Sequence, residues 1–166
     1  MAGRRILVIG SQCKNLGHLS FLPQFAKDLY AVMTDQALGM CVPALGERNN
    51  SLLLDPSVKK ARDSITAAFQ RASESEATLF LAFIGHGEYT GSDFYLLPLD
   101  ASLPPMSHTA INLVQLIKEL HRIHSNTDGL VVLLDTCYSG VAATGASVRW
   151  VGELGGTLRF EPTFPR

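Results

Sequence analysis

Runs of apolar residues alternate along this chain with segments whose apolar positions recur every three or four residues. Ile6-Leu7-Val8-Ile9 is a short β-branched run closed by Gly10, the pattern of a strand buried on both faces. Leu22, Phe25, Ala26, Leu29, Val32 and Met33 then follow helical spacing, with Gly39 as a natural stop. A second strand is predicted over Met40 to Leu45. Asp55-Pro56 reads as an N-cap followed by proline at the first helical position. Behind it Val58, Ala61, Ile65, Ala68, Phe69 and Ala72 mark one helix face. Thr78 to Ile84 is apolar almost throughout and predicts the third strand. A stretch punctuated by Gly and Pro follows, with a small strand over Phe94 to Leu97. Leu113, Leu116, Ile117, Leu120 and His124 predict a third helix capped by Thr109, and Leu130 to Leu134 a fourth strand.

Strands apolar on both faces, separated by amphipathic helices, require a largely parallel sheet covered on each side. The predicted class is therefore α/β, a three-layer α/β/α sandwich with a mostly parallel sheet. At 166 residues the chain is sized for one domain. An apolar content of 46% excludes intrinsic disorder, and no apolar run approaches the length of a membrane span. The run after Arg4-Arg5 is too short for a signal peptide. Fourteen basic against fifteen acidic residues leave a net charge of −1, so no electrostatic pull toward nucleic acid is expected. Three widely spaced cysteines, Cys13, Cys41 and Cys137, suit reduced thiols in a cytoplasm better than a disulfide framework. Charged residues, at 17%, fall below the usual quarter of a globular domain, a hint of surface that meets another polypeptide.

In open α/β sheets ligands bind beyond the carboxyl ends of the strands. Three segments qualify: Gly10-Ser11-Gln12-Cys13, Gly85-His86-Gly87, and Asp135-Thr136-Cys137-Tyr138-Ser139-Gly140. A histidine and a cysteine thus emerge at successive strand ends. A free thiol is mostly protonated at neutral pH and only its thiolate attacks carbon, so a neighbouring imidazole that removes the proton makes a nucleophile. Gly87 permits close backbone approach, and its N–H with that of Cys137 is a candidate oxyanion hole. Taken singly, the cysteine reads equally as a small buried apolar residue and the histidine as a satisfied structural one.

Spacing removes several rivals. A cysteine-phosphatase loop needs Arg six residues after the nucleophile, where this chain has Ala143. A nucleophile elbow needs Gly two residues before it, where Asp135 stands. Phosphate-binding glycine loops are absent, and His121 and His124 lack the spacing of a zinc pair.

The motifs Phe83-Ile84-Gly85-His86-Gly87, Phe94 to Asp100 (F-Y-L-L-P-L-D) and Leu133 to Gly140 (L-L-D-T-C-Y-S-G) resemble those of caspase-like cysteine peptidases. The resemblance is closest to the metacaspase and prokaryotic orthocaspase branch, whose cysteine motif reads D-x-C-x-S-G; the Q-A-C motif of true caspases is absent. It implies peptide-bond hydrolysis, with His86 as acid/base, Cys137 as nucleophile, and Gly87 and Cys137 N–H groups holding the oxyanion. It further implies cleavage after Arg or Lys, because Asp135 takes the place of a carboxylate lining an acidic S1 pocket. Ala26-Lys27-Asp28 matches the family's second pocket aspartate, with a solvated helix-surface residue as the alternative for Asp28 and a backbone-capping carboxylate as that for Asp135. No metal or other cofactor is implied, and the family's calcium-binding acidic cluster is not evident.

The resemblance sets residues 1–166 as a large-subunit-like portion of the peptidase domain, with the smaller C-terminal portion cut short after about residue 160. The expected partners are a protein substrate with a basic P1 residue and a C-terminal small-subunit segment, regulatory partner or fused domain; neither nucleic acid nor membrane is expected. Arg166 at the terminus is what a basic-specific enzyme leaves after cutting itself. By analogy the role is a regulated effector in bacterial immunity or cell death. The competing functions are a catalytically silent caspase-like interaction module and a thiol hydrolase of small esters or amides.

Overall fold

The computed structural model describes residues 3–91 and 93–136. In chain order the elements are β1 (Arg4–Ser11), α1 (Leu22–Thr34), β2 (Val42–Pro43), α2 (Arg48–Ser51), β3 (Leu52–Leu54), α3 (Val58–Glu74), β4 (Thr78–Tyr89), β5 (Phe94–Leu97), β6 (Ile111–Asn112), α4 (Leu113–Ile123) and β7 (Gly129–Thr136). β1 lies between β4 on one edge and the short β2 and β3 on the other, and β7 pairs with the far edge of β4; all four contacts are parallel. Beyond Gly85 the β4 strand continues into an antiparallel hairpin with β5, which pairs in turn with β6. The sheet is thus mixed and mostly parallel, as the apolar strands require.

The two-residue period of β1 divides the core. Leu7 and Ile9 face a large cluster built with Ile65 and Phe69 of α3 and Leu116 and Ile117 of α4. Ile6 and Val8 face a smaller cluster made with Leu22, Ala26 and Tyr30 of α1. Helices therefore cover both faces, completing the three layers. Each fully buried side chain of this size contributes about 1.5–3 kcal/mol. Gly10 lets α1 sit close to the sheet: a Cβ there would lie 2.8 Å from that of Ala26.

Several local expectations change. The strand expected over Met40 to Leu45 shrinks to Val42–Pro43, because Met40 and Cys41 give their N–H groups to Asp35 and Met33 at the end of α1. Met40 also takes φ +52°, which no strand tolerates. α3 is capped by Ser57, whose hydroxyl accepts from Lys60 N–H, rather than by Asp55, and α4 by Asn112 rather than Thr109. Phe25 and Val32, expected on the buried face of α1, are about half exposed; the contact face runs through Leu22, Ala26 and Tyr30 instead. β4 runs past the expected end at Ile84 to Tyr89, because Gly87 to Tyr89 pair with Phe94 to Leu96.

Candidate active site

Parallel register brings one position from each of three strands into one row. Ser11 of β1 pairs with Gly85 of β4, and Gly85 pairs with Thr136 of β7. Adjacent strands stand about 4.8 Å apart, so the positions that precede Gln12, His86 and Cys137 in sequence lie side by side on neighbouring strands. Cys137 itself lies outside the described residues.

Gly85 is required at the centre of the row. Its φ is +156°, and a Cβ there would collide with the Ser11 carbonyl oxygen of the adjoining strand. A side chain would push β1 and β4 apart at the point where His86 begins.

His86 is half buried on β4. Its Nε2 lies 2.9 Å from the carbonyl oxygen of Gly17, in the loop between β1 and α1. A carbonyl only accepts, so this contact needs the proton on Nε2 and, in the neutral ring, leaves the lone pair on Nδ1. Gly87 is buried next to it on β4, opposite Leu96.

Asp135 and Asp28 meet at one feature. A hollow of about 510 Å³ is lined by Phe25, Asp28 and Leu29 of α1, Ile84 of β4, and Leu133 and Asp135 of β7. Its walls are mostly apolar, and both carboxylates are solvent-accessible. Such a hollow suits a long aliphatic stem ending in a positive charge, as Arg and Lys side chains carry. Asp28 also accepts a hydrogen bond of 2.7 Å from Gln24 one turn earlier, which restrains its carboxylate.

The structure therefore brings together His86 and Gly87 on one strand and Asp28 with Asp135 around one hollow. Two contributors escaped the sequence. The Gly17 carbonyl is main chain and carries no residue signature. Phe25 has the spacing of a core residue, yet its position three residues before Asp28 puts both on adjoining turns of one face. Among the described residues no group of three His, Cys, Asp or Glu side chains is placed to hold a metal. No helix there is long and apolar enough to cross a membrane.

A mostly parallel sheet lies between helices, with His86 on β4 and the cysteine motif following the neighbouring strand β7 in sequence; this is the α/β class in which caspase-like domains fall. Residues 16–158 match the family model of the caspase domain. The chain belongs to the caspase-domain family of cysteine peptidases. Comparison with curated proteins gives no match.

Proposed function

We propose that this chain is a cysteine endopeptidase of the metacaspase and orthocaspase type, cleaving peptide bonds after Arg or Lys through His86 and Cys137. The observation that carries the reading is the shared hollow of Asp28 and Asp135, formed beside the strand that leads into Cys137. Two carboxylates over apolar walls favour a cationic P1 side chain and repel an acidic one.

The chemistry runs through Nδ1. With Nε2–H donated to the Gly17 carbonyl, the Nδ1 lone pair takes the Cys137 thiol proton. The thiolate attacks the scissile carbonyl carbon, and the oxyanion is held by the N–H groups of Gly87 and Cys137. Imidazolium then returns its proton to the departing amine as the C–N bond breaks, leaving a thioester. Water, deprotonated by the same nitrogen, attacks that thioester and restores the thiol.

The partners follow from the edge of the sheet. Among the described residues β7 pairs with β4 alone, and Leu133 is 37% exposed on it. A C-terminal small-subunit segment, or a regulatory partner, would complete the pairing and cover this strand. Buried Cys13 and Cys41, both free thiols, fit a reducing cytoplasm. A regulated effector role in immunity or cell death remains the analogy of the family.

The test is alkylation of the full chain by an Arg chloromethylketone, with matched Arg-P1 and Asp-P1 peptides assayed in parallel. The expected result is modification of Cys137, cleavage of the Arg peptide alone, and no cleavage by Cys137→Ala. Activity retained by Cys137→Ala removes the mechanism. Neither labelling nor cleavage favours the silent module instead.

A further inference from the structure

Gly17 presents its carbonyl to His86 from an exposed stretch of loop. Among the described residues, a Cβ built on it would meet no atom within 4 Å beyond its own chain neighbours. The position of that carbonyl is therefore set by what ties down the loop on either side. We propose that Gln12 is a positioning residue that holds the Gly17 carbonyl on His86 Nε2, and through it keeps the proton off Nδ1. The proposal rests on His86 serving as the acid/base.

Gln12 is the first residue beyond β1 and is 8% exposed. Its side-chain Nε2 donates to the Leu19 carbonyl at 2.7 Å, and its Oε1 accepts from Leu19 N–H at 2.9 Å. One amide thus engages both main-chain groups of a residue two positions beyond Gly17. Gln12 is itself anchored, since its N–H donates to Asp55 Oδ1 at 2.8 Å. Asp55 adopts φ +51° and donates its own N–H to Gly10 in β1, also at 2.8 Å. The loop's upstream limb is tied separately: Lys14 N–H donates to the Leu99 carbonyl and Asn15 Nδ2 to that of Ala101, each at 3.0 Å.

A buried glutamine with both ends of its amide satisfied is costly to replace. Gln12→Ala frees the downstream limb and with it the Gly17 carbonyl. α1 keeps its place through buried Leu22, Ala26 and Tyr30, so the hollow that takes the substrate side chain is preserved. The damage then falls on proton transfer rather than on substrate binding. Gln12→Glu matches the native shape and retains an acceptor for Leu19 N–H, but sets a carboxylate oxygen against the Leu19 carbonyl.

The experiment is ¹⁵N NMR of the His86 ring in the full chain, at a pH where the ring is neutral, with peptide kinetics on the same samples. The wild-type ring is expected as the Nε2–H tautomer and Gln12→Ala as a mixture of both. The expected kcat falls about tenfold or more while KM stays within about twofold. Gln12→Glu is expected to fall between, and serves as the test if Gln12→Ala does not fold. Gln70→Ala, a surface glutamine on α3, is expected to leave tautomer and kinetics unchanged. A folded Gln12 variant that keeps a pure Nε2–H ring and full kcat overturns the proposal. If His86→Ala retains activity, the acid/base reading falls instead, a result distinguishable from the first because the tautomer is read without turnover.

Discussion

Asp28 and Asp135 line the same hollow, although one comes from α1 and the other from the last residue but one of β7. On the proposed specificity, charge selection at P1 would depend on two separate elements. Asp135→Asn keeps the shape and removes one charge. The expected effect is a 10- to 100-fold loss, by order of magnitude, in kcat/KM for an Arg-P1 peptide, with little change for its citrulline analogue. Asp28→Asn should cost less, because the Gln24 amide already engages that carboxylate. Both carboxylates are accessible to solvent, so the Arg preference should also weaken as salt rises. Unchanged Arg-over-citrulline selectivity in Asp135→Asn would count against the pocket assignment.

The layers and the strand ends could be read from the sequence because both rest on local pattern. Ile6 to Ile9, Thr78 to Ile84 and Leu130 to Leu134 are apolar without alternation, which only a sheet covered on both faces explains. What could not be read depends on distant backbone. Met40 and Cys41 have strand-like side chains, but their N–H groups belong to the end of α1. Asp55-Pro56 has the chemistry of a cap, yet its carboxylate turns back to Gln12 and leaves the cap to Ser57. Asp28 and Asp135 could be placed in one pocket by resemblance, whereas the Gly17 carbonyl required coordinates.

Gly85 ties stability to the site. Its positive φ and the crowded Ser11 carbonyl leave no room for any side chain. Gly85→Ala is expected to lose about 2–4 kcal/mol of unfolding free energy, measurable by urea denaturation. Peptidase activity should fall further than the folded fraction does, because the row from Ser11 to Thr136 is displaced where His86 starts. A variant of native stability would show that β1 and β4 separate there without cost.

Asp100 acts at a distance on α3. Its Oδ1 accepts the Val58 N–H at 2.6 Å, while Ser57 takes the Lys60 N–H at 3.1 Å. Two of the helix's four otherwise unpaired N–H groups are thereby satisfied. Asp100 closes the Phe94 to Asp100 motif on which the family resemblance partly rests. Asp100→Ala should destabilise by about 1–2 kcal/mol, and Asp100→Asn, which keeps an acceptor, by less. Equal losses in the two would mean that charge at the helix start, rather than the hydrogen bond, is what Asp100 supplies.

Alkaline conditions should expose the smaller core. Burial raises the Cys41 thiol pKa above its ordinary 9.0, with Arg4 opposing, and raises the Tyr30 phenol above 10.0, with Arg48 opposing. In the folded chain both groups therefore hold their protons to higher pH than in the unfolded chain. Their contribution is complete below the unfolded values and is lost as pH climbs past them toward the folded ones. Urea midpoints should accordingly fall between about pH 8 and pH 10.5. Cys41→Ala removes the first of the two groups, so its midpoint should start lower, from lost packing, but decline less between about pH 8 and pH 10. A decline as steep as wild type would assign the alkaline loss to Tyr30 and not to the thiol.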